Sequence, residues 1–206
     1  RDGDRVTINP LVTCGACPAC QAGRDNLCAT RQIISMPPRE GAFAQFVAMP
    51  ERNLVTVPGH ISLEQAALAE PVAVGWHAVR LGIAALPGDM AQTALVIGGG
   101  AIGVAAALSL ISQGVAQVTL IEPNPLRRAY LTLNAQITVL APDEIDGQLF
   151  DITVDGVGFE ATRATACAAT RPGGVIVHVG LGGGGAGLDI RRITLQEITF
   201  IGTYTY

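Results

Sequence analysis

Short runs that are apolar at nearly every position recur through the later part of this chain, separated by stretches with helical spacing. Ala94-Leu95-Val96-Ile97, Val118-Thr119-Leu120-Ile121 and Val175 to Val179 are the clearest. A strand with one wet face alternates apolar and polar residues, so a run with no polar face is buried on both sides. Weaker strand patterns lie at 137–140, 150–154 and 198–201. Helical patterns fall between them, at 101–113, from about Pro125, and at 160–170. Strands alternating with helices predict a doubly wound parallel sheet, an α/β fold. Pro172-Gly173-Gly174 predicts a turn before the strand at 175–179, and residues 182–187 predict a flexible glycine loop.

The first third reads differently. Strands are expected at 5–10, 42–48 (A-F-A-Q-F-V-A) and 54–57, with Pro50 and Pro58 as boundaries. Ser62-Leu63-Glu64-Gln65 has the form of a capping box and predicts a helix start. That helix runs into Glu70-Pro71. A second helical stretch at 72–81 is expected to stop at Gly82 and the turn Leu86-Pro87-Gly88-Asp89. No internal repeat of solenoid period is visible. Two domains follow: a mostly β part over 1–71 and the α/β part over 72–206.

Composition agrees with buried parallel strands: 49% of residues are hydrophobic, only 4% are aromatic, and 25 are glycine. A net charge of −4 gives no reason to expect nucleic acid or an anionic membrane as partner. Residues 91–121 carry no charge, which raises a membrane span, but Gly98-Gly99-Gly100 and Gly103 suit a strand–turn–helix better. No secretory signal is visible, so a cytoplasmic protein is expected. The chain opens on Arg1-Asp2-Gly3-Asp4 without Met and stops at Tyr206 just after an apolar strand. It reads as the middle of a longer protein.

Cys14, Cys17, Cys20 and Cys28 form the spacing C-x2-C-x2-C-x7-C. Zn²⁺ favours four soft ligands in a tetrahedron, and thiolates on tight loops supply them without a large core. Such a closed site has no open position, so it shapes a loop and does no chemistry. Disulfides are the alternative; an intracellular setting favours metal. A nucleic-acid-binding zinc ribbon would need a basic face, which this loop lacks.

Gly98-Gly99-Gly100-Ala101-Ile102-Gly103 fits G-x-G-x-x-G, follows a strand, opens a helix, and is followed at the end of the next strand by Glu122. Gly98 makes the turn, Gly100 lets a pyrophosphate approach, and Gly103 permits close helix–strand contact. The helix N-terminus offers free N–H groups to phosphate. This is the Rossmann dinucleotide fingerprint. Glu122 suits the ribose hydroxyls of NAD and repels the 2′-phosphate of NADP. Arg127 and Arg128 offer that phosphate a cation, so NAD is favoured and NADP is the alternative.

Taken with G-D-R-V at 3–6, G-A-F-A-Q-F-V at 41–47, L-A-E-P at 68–71, E-P-N-P-L-R-R at 122–128 and R-P-G-G-V-I-V at 171–177, the chain resembles the zinc-dependent medium-chain dehydrogenases, in their polyol (sorbitol-type) and threonine dehydrogenase branch. The resemblance implies a partial GroES-like catalytic domain carrying the zinc loop, a Rossmann domain, and hydride transfer between a secondary alcohol or polyol and NAD. It implies that Glu70 is a catalytic-zinc ligand, where other branches have Cys. The family's remaining catalytic ligands, a Cys and a His-Glu pair, lie upstream of the position matching Arg1. Most of the C-terminal return is also absent. The chain as it stands is therefore expected to hold one structural zinc and the cofactor, without turnover.

The same resemblance implies cofactor contacts at Ala101, Ile102 (behind the nicotinamide), Arg127 (near the adenosine ribose), Val157 (adenine side), Val179, Gly180 and Leu181 (facing the nicotinamide), and Thr203 and Tyr204 (opposite its carboxamide). A homodimer or homotetramer is implied, joined through the strand at 198–201. The other functions compatible with these residues are a threonine-type amino-alcohol dehydrogenase and a non-catalytic cofactor-binding protein. His60, His77 and His178 have no local partner at ligand spacing and are expected to be structural or solvent-exposed. Cys167 is expected to be a buried small apolar side chain.

Overall fold

The fold was described from a computed structural model, which describes residues 3–88 and 92–206. Asp89, at the end of the expected turn, lies outside the described residues. The chain divides into two compact units, residues 1–70 with Tyr206, and residues 71–205.

In the first unit, β1 (Val6–Ile8) pairs antiparallel with the strand β4 (Leu54–Thr56). Between them β2 (Leu11–Val12) pairs with β3 (Gln32–Ile33), and this pair brackets the cysteine loop with its short helix α1 (Pro18–Gln21). Pro18 sits at the first helical position, where its missing N–H costs nothing. The capping box closes as expected: Ser62 Oγ accepts from the Gln65 N–H at 3.1 Å, and Gln65 Oε1 accepts from the Ser62 N–H at 2.9 Å. It starts α2 (Leu63–Ala66).

One expectation fails here. Residues 42–48 form no strand, and Phe43 and Phe46 are fully exposed. An apolar, aromatic-containing run favours extended backbone, but a strand also needs a neighbour for its backbone groups. Among the described residues, no strand pairs with 42–48.

Helix α3 (Ala69–Ala84) is longer than its sequence pattern. It begins before Pro71, which falls in the first turn and so breaks no helical hydrogen bond. It also runs through Gly82 instead of stopping there. Gly82 is buried, and a Cβ on it would stand 2.7 Å from Val177 Cγ2. This glycine therefore serves close contact with the sheet and does not end the helix.

The second unit carries six parallel strands in the order β10-β9-β8-β5-β6-β7. They are β5 (Thr93–Ile97), β6 (Gln117–Ile121), β7 (Ile137–Leu140), β8 (Phe150–Asp155), β9 (Thr170–His178) and β10 (Thr199–Gly202). From β5 the chain winds outward to β6 and β7, then crosses back to β8 and winds the other way. Helices α4 (Ala101–Ser112) and α5 (Pro125–Leu131) lie with α3 on one face; α6 (Glu160–Ala169) and α7 (Ile190–Leu195) lie on the other.

Both faces are dry. Val96, Leu110, Leu120, Ile152 and Val177 meet on the first, and Leu95, Ile97, Ile121, Cys167 and Ile176 on the second. Each such side chain contributes roughly 1.5–3 kcal/mol by leaving water. The uncharged stretch resolves into β5, the glycine turn, α4 and β6. No helix among the described residues is long and apolar enough to cross a membrane. The Pro172-Gly173-Gly174 turn sits inside β9 as a bulge. The pairing jumps from Phe150↔Thr170 to Ile152↔Val175, with Gly173 at φ +71°.

Candidate functional site

The four cysteine sulfurs converge. All lie within 4.8 Å of one another, with Cys17–Cys20 at 3.5 Å, Cys14–Cys28 at 3.7 Å and Cys14–Cys20 at 3.9 Å. A tetrahedral zinc with Zn–S bonds of about 2.3 Å requires sulfur–sulfur edges of about 3.8 Å. The quartet therefore fits zinc, and all the cysteines are free thiols, not disulfides.

Backbone N–H groups point at the sulfurs: those of Ala16 and Cys17 at Cys14 (3.4 and 3.3 Å), and that of Cys14 at Cys28 (3.5 Å). The Cys14 N–H, followed by the Thr30 hydroxyl, draws the Cys28 thiol down to about 6. The Ala16 and Cys17 N–H groups lower Cys14, whereas burial pushes Cys20 up to about 12. Zinc binding must therefore displace protons from this site.

The base of the loop is pinned by Asn53, whose Nδ2 donates to the carbonyls of Leu11 (2.7 Å) and Asn9 (2.8 Å), and by Arg52, which donates to Thr13 O.

Glu70 stands outside this cluster. It is partly buried, and burial raises its carboxyl above the ordinary value. Tyr206 is pushed up to about 12 by burial and then by the Glu70 charge. Among the described residues, the cysteine quartet is the one group of three or more ligand side chains close enough to share a metal.

The backbone at the glycine turn is crowded at two of its three fingerprint glycines. Gly98 has φ +96°, and a Cβ there would strike Val157 Cγ2 at 2.4 Å. A Cβ on Gly103 would lie 1.8 Å from Gly98 O, so only glycine lets α4 cross the turn this closely. Gly100, the N-cap of α4, is different: nothing lies within 4 Å of its Cβ position, and no side chain caps the helix. Open space at the Gly100 Cβ position, at the start of a helix that no side chain caps, fits the approach of a pyrophosphate. Ala101 is exposed and Ile102 half-buried on the first turn.

Glu122 is only 3% exposed. Its Oε1 accepts from the Asn124 N–H (2.8 Å), and its Oε2 accepts from the Gly99 N–H (2.8 Å) and from Arg127 Nη1 (3.1 Å). Burial pushes its carboxyl up, but these donors outweigh it and hold the group below the ordinary value. The carboxylate is thus committed to the turn and to Arg127. The Arg127 side chain remains half exposed above it. Arg128 turns inward to the carbonyls of Glu122 and Pro123, both at 2.8 Å.

The other expected contacts gather at the carboxyl ends of β8, β9 and β10. The Val179 and Gly180 N–H groups both donate to Asp155 O at 3.0 Å, and the Thr203 N–H donates to His178 O at 3.0 Å. A Cβ on Gly180 would stand 2.1 Å from Val157 C, so the loops after β8 and β9 touch backbone to backbone. Leu181 is 90% exposed, while Tyr204 and Thr203 are half-buried.

Two features here escaped the sequence reading. Asp155 is fully buried at the end of β8; it accepts from the N–H groups of Val157 and Gly158 and from Thr162 Oγ1, and its Oδ2 lies 3.3 Å from His178 Nδ1. The parallel register of the folded sheet sets Asp155 opposite His178, a pairing no local sequence signal marks. The other is Arg163, a buried arginine on α6. It precedes the buried Ala166 and Cys167 by helical steps, so its place on the inner face was readable. Of the other histidines, His60 is exposed and His77 lies on α3 with Nδ1 3.3 Å from Arg80. Cys167 is buried as expected.

A family model for the zinc-binding dehydrogenases matches residues 101–206, and one for the alcohol dehydrogenase GroES-like domain matches residues 1–59. The chain belongs to the zinc-binding dehydrogenase family. Sorbitol dehydrogenase of Arabidopsis thaliana is 31% identical, over 99% of this chain and 59% of that protein. The crystal structure of L-idonate 5-dehydrogenase from Escherichia coli superposes with a TM-score of 0.88 at 23% identity, over 100% of this chain and 62% of that one, which establishes the shared fold. A zinc-binding dehydrogenase from Sinorhizobium meliloti bound to NADP is 26% identical with a TM-score of 0.84, over 100% and 64% of the two chains. The chain thus spans about three-fifths of the length of the curated relatives it matches.

Proposed function

We propose that the protein is an NAD-dependent zinc dehydrogenase that oxidises a secondary alcohol or polyol. The observation that carries this reading is a four-sulfur cage of zinc dimensions in the same chain as an open glycine cradle with a carboxylate behind it. In this reading residues 1–71 are the GroES-like part, and residues 72–206 are the cofactor domain. Cys14, Cys17, Cys20 and Cys28 hold a structural zinc, and Glu70 contributes one ligand to a catalytic zinc.

When bound, the catalytic metal supplies Lewis-acid stabilisation of alkoxide character, and the nicotinamide accepts hydride. The chain's own residues position the cofactor. Gly98, Gly100 and Gly103 shape the turn, the α4 N–H groups bind the pyrophosphate, and Glu122 with Arg127 orients the adenosine ribose. Ala101, Ile102, Val157, Val179, Gly180, Leu181, Thr203 and Tyr204 line the rest.

NAD is preferred because a carboxylate stands at the ribose edge. Tighter binding of NADPH than NADH would reverse that preference. The protein acts on a small molecule as a cytoplasmic homodimer or homotetramer; light scattering on the purified protein measures the assembly.

The test is NAD⁺ reduction by the intact protein with a pool of polyols and secondary alcohols, with and without a zinc chelator. Chelator-sensitive NADH formation is the expected result. A zinc-loaded protein that binds NADH yet reduces no NAD⁺ with any of them would replace this reading with the non-catalytic one.

A further inference from the structure

Arg163 is 4% exposed in the middle of α6. Such burial is rare for arginine unless its donors are satisfied. Its partners are backbone carbonyls from two loops. Nη1 donates to Gly158 O, Nε to Ala186 O, and Nη2 reaches Gly183 O at 3.4 Å. Gly158 follows Val157, the residue pressed against the cofactor turn at Gly98. Gly183 and Ala186 belong to the glycine loop that continues from β9.

That loop is Gly182-Gly183-Gly184-Gly185-Ala186-Gly187. Four consecutive glycines lose more freedom on ordering than any other sequence, so the loop is costly to hold in one shape. It is held nonetheless. The Gly182 N–H donates to Val157 O at 3.2 Å, and Gly187 lies so close to α6 that a Cβ would stand 2.2 Å from Glu160 O. Between these two points the guanidinium spans both loops. A planar fork with five donors suits this task, and a single ammonium does not.

The chain reverses its winding between β5 and β8, where this fold receives ligands at the strands' carboxyl ends. Glu122 lies on the β6 side of that point, and the glycine loop that follows β9 lies on the other side. A dinucleotide seated on Gly100 would place one nucleoside half on each side.

We infer that Arg163 is a positioning residue that holds the 182–187 loop in the shape that receives the nicotinamide half of the cofactor. The inference rests on the dinucleotide reading above and adds a determinant of affinity to it.

The test compares Arg163→Met and Arg163→Lys with Ala164→Gly, an exposed position that weakens the same helix without touching the clamp. NADH affinity is measured by fluorescence, ADP-ribose affinity by calorimetry, and loop order by amide hydrogen exchange of the ligand-free chain. Arg163→Met is expected to weaken NADH by about tenfold or more, while ADP-ribose, which lacks the nicotinamide, changes by less than about twofold. Residues 183–187 exchange faster, Arg163→Lys falls between, and Ala164→Gly matches the wild type in NADH affinity. If the Met variant does not fold, the Lys variant carries the same comparison.

Unchanged NADH affinity in the Arg163 variants overturns the proposal. So does equal loss of NADH and ADP-ribose, or an Ala164→Gly variant that reproduces the effect. A wild-type chain that binds neither ligand overturns the dinucleotide reading itself, a result distinct from the others because it needs no variant.

Discussion

The two units reach order by different means. Both contiguous apolar clusters belong to the six-stranded unit, whose central strands are buried on both faces. The cysteine unit buries few apolar side chains, among them Leu11, Val12, Val57 and Ala66, and leaves Phe43 and Phe46 in water. What it has instead are the Asn53 and Arg52 bonds at the loop base and four sulfurs converging at zinc spacing. A segment too small to build a core can be held by ligand bonds, because these are strong, local and independent of buried area. A perturbation that dismantles one unit should therefore spare the other.

Zinc removal should give the largest effect. Structural zinc supplies on the order of 10–16 kcal/mol in small sites. Chelation, or Cys28→Ser, is expected to take the bound zinc from one per chain to none and to abolish amide protection across 11–33. NADH binding should persist. Protection of that loop in zinc-free protein would show that the polar anchors suffice and that the contrast between the units is false.

Leu120→Ala makes the reciprocal cut. This fully buried side chain sits in the larger cluster, and its truncation should cost about 2–5 kcal/mol in denaturant unfolding of the six-stranded unit. Zinc content should stay at one per chain; a parallel loss of zinc would mean that the units unfold together.

Gly103→Ala and Gly100→Ala sharpen the picture inside the cofactor turn. The first forces a methyl onto Gly98 O and should cost about 1–3 kcal/mol or more, together with NADH binding. The second places a methyl in open space and should leave stability nearly unchanged while weakening NADH. Equal destabilisation by both would contradict the cradle.

Glu122→Gln should have the smallest effect, about 1 kcal/mol at neutral pH. Because the folded carboxyl sits below its ordinary value of 4.5, its stabilisation is complete above that pH and fades as pH falls through the lowered value. The difference between wild type and variant should shrink on acidification below about 4.5. A difference that grows instead would show that the Arg127 and backbone donors do not favour the charged form.

Much of this was legible locally. The strands β5 to β10, the capping box at Ser62 and the geometry of the glycine turn follow from periods and motifs that span a few residues. The cysteine spacing likewise brings four sulfurs together, because the ligands share one loop. Legibility ended where the outcome depended on a distant partner. Residues 42–48 are apolar except for Gln45, but among the described residues no strand pairs with them, so they form none. Gly82 reads as a helix stop until Val177 supplies the reason for a glycine inside a helix.

The order of strands and helices, the glycine turn and the convergence of four cysteines were determined by the sequence itself, since each depends on short-range stereochemistry. Tertiary structure alone decided that Glu122 is sealed by Gly99, Asn124 and Arg127, that Asp155 meets His178, and that Arg163 spans two glycine loops. Those arrangements join residues on different strands and helices, and only the register of the folded sheet brings their polar atoms within hydrogen-bonding reach.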